Sequence, residues 1–311
     1  GRMSGVVMAQ GGKIDLEGKR AARRRNIRRY RSVASVFSLL SIAMTFGGAL
    51  AARADDYSPR ETNSTFAAYA STSDLIVTVG GWGNISPEYS GSKHYDFGGS
   101  PIIDIRHVGS REWLSLPSDG IDYELFETDN FRAGPVGTLR WDFGNSKDRG
   151  LKEVGNTGID LSLELGVFLE YWPTDFWRTR LEARNAVYGA TGWVFDLSTD
   201  LVWHPSSQWT LAAGPRLSIA DSDYMNSYYG IDAQESQQLH LPKYDAAAGV
   251  RSAGAGIYAE YKVTEQLTTM ASFEYERLVG SAADSPYVRD DGSPDQFTIS
   301  LGAKYQFLWQ R

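Results

Sequence analysis

Four histidines, His94, His107, His204 and His240, are the obvious candidates for a general base in this 311-residue chain. A Ser-His-carboxylate hydrolase needs one imidazole that reaches both a hydroxyl and a carboxylate. His107 has Asp104 and Arg106 beside it but no nucleophile motif before it, and His204 ends an apolar segment next to Pro205. His94 and His240 fall in polar loops, and no G-x-S-x-G, H-x-x-x-H or P-loop string occurs. Asp221, Asp223, Asp232 and Glu235 are oxygen donors of the kind Ca²⁺ takes, but their spacing is not that of an EF-hand, and a solvated acidic loop is the plainer account. Asp290 and Asp291 precede Gly292 as turn residues. The chain has no Cys, which excludes disulfides, thiolate metal sites and a cysteine nucleophile. These residues define no catalytic, cofactor-binding or metal site, so the expectation is a protein that is not an enzyme and carries no cofactor.

The patterned charges lie elsewhere. From Leu161 to Tyr171 the odd positions are Leu161, Leu163, Leu165, Val167, Leu169 and Tyr171, and the even ones include Glu164 and Glu170. Trp177–Val187 sets Trp177, Leu181 and Val187 against Arg178, Arg180, Glu182 and Arg184; Trp193–Trp203 sets Trp193, Phe195, Leu197 and Leu201 against Asp196 and Asp200. Alternation with period two is the pattern of a β-strand with one apolar face. If neighbouring strands keep their apolar faces together, tight turns near Pro173 and at Tyr188–Gly192 oppose Glu170 to Arg178, Glu164 to Arg184, Arg184 to Asp196 and Arg180 to Asp200. This predicts a ladder of Glu164, Glu170, Arg178, Arg180, Arg184, Asp196 and Asp200 on one face.

Two architectures use such strands: a sandwich that buries the apolar face, and a transmembrane barrel that turns it to lipid and its charges to the lumen. Segments of about 10–13 residues exceed the usual soluble strand and suit a tilted membrane crossing. Tyr171, Trp172, Trp177, Trp203 and Trp209 gather at segment ends, as an interfacial girdle does. Short turns at 172–175 and 204–208 alternate with long polar loops at 144–158, 221–245 and 279–295, the outer-membrane arrangement of short periplasmic turns and long outer loops. The expectation is an all-β, closed antiparallel transmembrane barrel of about twelve strands, ten being the alternative. The strands fall near 75–84, 98–107, 110–117, 121–127, 131–143, 159–171, 176–188, 192–204, 208–220, 246–261, 266–278 and 296–307.

The positioning of this barrel requires export. The basic run Lys19–Arg31, the charge-free stretch Ser32–Ala52 and Ala52-Arg53-Ala54 predict a secretory signal peptide over 1–54 with cleavage after Ala54. A periplasmic leader over 55–74 and the barrel over 75–311 follow. Residues 1–54 hold 11 of the 31 Lys+Arg and 2 of the 38 Asp+Glu, leaving the body with 20 basic and 36 acidic groups, a net of −16. Such a body repels phosphate, so nucleic acid is not a partner; the expected surroundings are outer-membrane lipid and lipopolysaccharide.

Specific strings then add to the periodicity. SPEYSGS (86–92), ADSDYMNSYYGIDAQES (220–236), LPKYDAAAG (241–249), YERLVGSAADSP (275–286) and QFTISLGAKYQF (296–307) resemble, in order and spacing, the MipA/OmpV family of outer-membrane proteins. The chain departs from the family's usual SGLP stretch, reading Gln237-Gln238-Leu239-His240-Leu241-Pro242. The resemblance implies an outer-membrane β-barrel and, in its best-studied branch, a scaffold linking a lytic transglycosylase to a penicillin-binding murein synthase. Other members are associated with osmotic response, adhesion or drug susceptibility. Ser300, Gly302, Tyr305 and Phe307 fit the C-terminal signal read by the barrel-assembly machinery, followed by the tail Leu308–Arg311. Three function classes stand: a non-enzymatic scaffold in peptidoglycan biosynthesis, a narrow outer-membrane channel or osmotic-stress porin, and, remotely, a hydrolase around His107 or His204.

Overall fold

The computed structural model describes residues 74–108, 120–141 and 161–310. The signal region, the leader up to residue 73 and the expected strand at 110–117 lie outside the described residues. Ten strands of 11–15 residues carry the fold: β1 (Leu75–Pro87), β2 (Tyr95–His107), β5 (Phe131–Trp141), β6 (Leu161–Thr174), β7 (Trp177–Tyr188), β8 (Trp193–Ser206), β9 (Trp209–Ala220), β10 (Gly249–Lys262), β11 (Leu267–Leu278) and β12 (Asp295–Trp309). β3 (Ile121–Asp122) and β4 (Phe126–Glu127) have two residues each. The twelve strands observed are therefore not the twelve expected. The segment expected as one strand over 121–127 appears as two pieces, both paired to β5, with a one-residue shift between Asp122↔Val136 and Phe126↔Ala133. Backbone bonds Tyr123 N–H to Pro135 O and Leu125 N–H to Ala133 O bridge the two pieces, so a bulge divides one strand.

All pairings are antiparallel in the order β2-β1-β12-β11-β10-β9-β8-β7-β6-β5-β3, with β4 also on β5. The first and last long strands are neighbours, Leu75 facing Trp309. The path ends at β2 and at β3–β4, the elements that flank 109–119 in the sequence. The sheet curls: the Trp82 ring on β1 lies 6.1 Å from that of Tyr258 on β10, three strands away. The curl encloses the even-numbered face of most strands.

Burial is inverted relative to a soluble protein. Glu164, Glu170 and Arg178 are wholly buried, while Trp203 is 64% exposed and Leu301 66%. Exposed apolar side chains run along every long strand, and stacked or tilted aromatic pairs such as Phe131–Tyr171 (4.4 Å) and Trp209–Tyr261 (4.8 Å) mark their ends. An exposed belt of this kind is stable only against lipid.

Short turns join β6 to β7, β8 to β9 and β10 to β11 at one end. At the other end the β9–β10 connection folds into α1 (Ser222–Tyr229) and α2 (Ala233–Leu239), and the β11–β12 connection into α3 (Gly280–Ala283) and α4 (Pro286–Arg289).

Candidate functional site: the lumenal charge ladder and its plug

The register of the charged strands is two residues from the one expected. Glu170 faces Arg180, Asp200 faces Arg178, and Asp196 faces Glu182. The same register sets Glu164 opposite Ala186, and a bulge just beyond it sets Leu163 opposite Tyr188. The shift keeps every charge on the enclosed face, because it is an even number of residues. Arginine then reaches its partners diagonally. Arg178 grips Glu170 through Nε (2.9 Å) and Nη2 (2.7 Å) and meets Asp200 at 3.4 Å. Arg184 joins Glu164 at 3.0 Å and also contacts Glu182 and Asp196. Arg180 bonds Glu182 (2.8 Å), Asp122 (2.9 Å) and Glu170 (3.4 Å), with its guanidinium carbon 4.2 Å above the Phe168 ring.

The structure enlarges this set beyond the seven residues read from the sequence. Arg132 on β5 meets Glu170 at 3.1 Å and also Glu124; Arg216 on β9 meets Asp200 at 2.8 Å. The Trp172 indole N–H donates to Glu170 at 2.8 Å. Arg132, Glu182 and Arg216 share the even parity of the ladder, so the alternation could have found them. Asp122 and Glu124 share that parity too, but they stand on a short segment whose faces reverse after Leu125, so that Ile121, Tyr123 and Leu125 and then Phe126 are exposed. Parity fails at Arg251 on β10: a shift between Val250 and Ser252 leaves it 8% exposed, bonded to Ser218 (2.9 Å) and Glu276 (2.7 Å).

A second cluster packs at the long-loop end. Tyr224, Met225 and Tyr229 of α1 pack with Ala186, Ala190 and Val194 of the β7–β8 corner, and with Leu278, Ala282 and Val288 around α3 and α4. The Tyr224 hydroxyl donates to Glu164 at 3.0 Å, so the plug touches the ladder directly, and the Tyr228 hydroxyl lies 3.2 Å from that of Ser162. Ser90 Oγ and Tyr229 Oη are 2.7 Å apart, and Ser285 Oγ donates to Tyr229 O at 2.8 Å. Gly91, with φ +98°, donates to Gln296 Oε1 at 3.0 Å. Burial pushes the Tyr229 phenol above its ordinary value, against the pull of Arg251 and the Ser90 bond. Four of the five strings behind the family resemblance meet in this plug through Ser90–Gly91, Tyr224–Tyr229, Leu278–Ser285 and Gln296; the fifth joins through Tyr244, whose hydroxyl donates to Ser281 O at 2.8 Å.

The other candidates have local duties. Asp221 caps α1 by accepting from Tyr224 N–H (2.8 Å), and Asp232 with Glu235 forms the capping box of α2. Three of the four acidic residues are thus helix-capping groups, and Asp223 lies in the first turn of α1. His240 is the left-handed C-cap of α2, His94 follows β1 in a loop, His107 ends β2 and His204 lies near the end of β8. Ser300 is buried and Gly302 lies beneath the Trp82 indole on the enclosed face, whereas Tyr305 is exposed to the outside; Phe307 faces Val77 of β1. At the short-turn end, Trp82, Trp172, Val202, Ala212, Tyr258 and Met270 form an apolar cluster across the enclosed face.

Strands that expose an apolar belt and enclose paired charges define an outer-membrane β-barrel protein. The family described as MltA-interacting protein MipA matches residues 79–307, and the chain belongs to that family. It is 29% identical over 127 residues to the "Putative outer membrane protein YiaT" of Escherichia coli K12, and equally to that of strain O157:H7, covering 40% of this chain and 49% of theirs. The chain thus spans about half the length of the curated relatives it matches. Among solved structures, the NanC porin shares a TM-score of 0.37 at 11% identity, over 75% of this chain and 100% of that one. An outer membrane channel from Pseudomonas putida F1 gives 0.37 at 12%, over 81% and 100%.

Proposed function

We propose that the sheet closes into a non-conducting barrel, exported with its signal removed after Ala54. The barrel acts without catalysis as a membrane-seated interaction protein for murein enzymes, a lytic transglycosylase and a penicillin-binding synthase. The observation that carries this reading is the crowded inner face of the curled sheet: charges paired across β5–β9, an aromatic-rich cluster below them, and a plug seated on Glu164 above. A general porin keeps its lumen open to water, whereas a docking protein needs only a rigid wall and accessible turns. The description of the matching family supports the choice of partner.

The test uses the refolded full-length protein. Immobilised, it should retain a purified lytic transglycosylase and penicillin-binding protein from the same cell envelope, and in a planar bilayer it should give no discrete conductance steps. Steps of constant size, with neither enzyme retained, would replace this reading with the narrow channel.

A further inference from the structure

The outward face of the described strands is almost free of charge. From β1 to β12 the lipid-facing positions are aliphatic, aromatic, Gly, Pro, Thr or Asn, with His107 at the short-turn end. The exceptions are Arg277 and Asp295, which face each other directly across β11 and β12 at the long-loop end. Just below them on the same face lie Phe273, Tyr275 and Phe297, with Tyr275 and Phe297 ring centroids 5.2 Å apart and Phe273 and Phe297 6.2 Å apart. Aromatic side chains of this kind sit at the headgroup level of a membrane, so Arg277 stands where the headgroups of one leaflet begin.

Asp295 pairs with the guanidinium but leaves one of its edges open. Asp295 Oδ1 accepts from Arg277 Nη1 at 2.5 Å and from the Tyr275 hydroxyl at 2.6 Å. Both bonds fall on one carboxylate oxygen, and the pairing with Arg277 uses one corner of the guanidinium. The edge formed by Nε and Nη2 is turned away from that bond, and the side chain is 53% exposed. A guanidinium edge of two parallel N–H groups matches a phosphate bidentately. The tyrosine-anchored carboxylate holds the plane of the fork, which reduces the ordering needed on binding.

We propose that Arg277 docks the phosphate of a phosphorylated glycolipid of the outer leaflet, with the acyl chains lying along the aromatic and aliphatic face of β11 and β12. The occupant is a lipid rather than a free anion because the site opens sideways above the apolar belt. It is a glycolipid because the long-loop end is the outer end of a barrel of this class, where the leaflet consists of phosphorylated glycolipid.

Native mass spectrometry of the folded full-length protein in a zwitterionic detergent, titrated with lipid A, measures the binding. Arg277→Gln should weaken lipid A about tenfold or more, the loss expected for hydrogen bonds to a charged group. Wild-type protein should bind lipid A stripped of its phosphates as weakly as Arg277→Gln binds intact lipid A, and Arg277→Lys should fall between. Heat-modifiable gel mobility establishes that each variant is folded. Equal affinity of wild type and Arg277→Gln for lipid A overturns the proposal. So does binding of phosphatidylglycerol as tight as that of lipid A, and so does displacement of lipid A by inorganic phosphate at millimolar concentration.

Discussion

Strands β5–β8 and strands β10, β11, β12 and β1 line the same enclosed space with opposite materials. The first wall projects Arg132, Glu164, Phe168, Glu170, Arg178, Arg180, Glu182 and Arg184, all buried. The second presents mainly Thr78, Ser252, Ser272, Ser300 and glycines, broken by Trp82 and Tyr258, and carries fewer charges, among them the pairs Arg251–Glu276 and Lys304–Glu260. Large side chains on one wall require small ones opposite if the interior is to fill without overlap. The walls also depend on different energies. The charged wall stands on mutual compensation, since each buried charge tolerates the interior only through its partners; the small wall stands on shape. Removing a group should therefore hurt most on the first wall, and adding one should hurt most on the second.

Glu170 is the largest expected effect. It accepts from Arg178, Arg132, Arg180 and Trp172, so Glu170→Ala strands several buried donors. The cost should be about 3–5 kcal/mol, the range for breaking a buried pair from one side, measured by urea unfolding of the folded protein in detergent. Ser272→Ala is the matched deletion on the small wall. The Ser272 hydroxyl has no hydrogen-bond partner, so its loss should be neutral or slightly stabilising. Equal costs for the two deletions would break the contrast.

Next is the contact between plug and charged wall. Tyr224→Phe removes the hydroxyl that donates to Glu164 while keeping the ring in the apolar cluster. A hydrogen bond to a charged group contributes about 1.5–3 kcal/mol, and here the loss should fall on the plug alone. Amide exchange over 222–229 should accelerate while the strand amides keep their protection. Uniform acceleration would show that plug and strands open as one unit.

Addition on the small wall comes third. A Cβ on Gly302 would lie 2.8 Å from the Trp82 indole and 2.8 Å from Gly81 O. Gly302→Val should cost about 1–3 kcal/mol through overpacking and shift tryptophan fluorescence as Trp82 is displaced from Tyr258. Unchanged stability and emission would mean the small wall has room to spare.

The same contrast explains what was legible in the sequence. The charged wall announces itself, because Leu161–Tyr171 and Trp177–Val187 alternate without interruption, so strand and face follow from parity, whereas Asp200, opposed to Arg180 in the expected register, pairs instead with Arg178 and Arg216. Register did not follow: arginine is long enough to satisfy its carboxylate from a diagonal position, so charge pairing alone fits two registers. Glu170 reaches Arg178 although it faces Arg180. On the small wall Gly and Ala dilute the alternation of β10, and the bulge at Arg251 turns an odd residue inward. Asp122 and Glu124 keep the ladder's even parity, but they stand on a short segment whose faces reverse at the bulge after Leu125. The plug was read as polar loop because its apolar residues, Tyr224, Met225 and Tyr229, are spaced for a helix only two turns long and are interleaved with Asp and Asn.

The smallest expected effect concerns pH and separates the plug from the walls. Burial raises the Tyr229 phenol above its ordinary value of 10.0. In the closed plug the proton is held more tightly than after opening. The stabilisation is therefore complete below about pH 10 and is lost as pH rises from there through the folded value, at no more than about 1.4 kcal/mol per pH unit for one proton. Since Tyr229 touches Ser90 and Ser285 but belongs to no strand, the loss should open the plug and leave the sheet intact. Limited proteolysis should begin to cut within 222–239 above pH 10 while far-ultraviolet circular dichroism stays constant. Tyr229→Phe has no proton to release, so its cleavage should be flat across the same interval once corrected for protease activity. If wild type and Tyr229→Phe respond alike, the Tyr229 proton does not govern the opening; the arginines and carboxylates of the charged wall keep their charges over this interval.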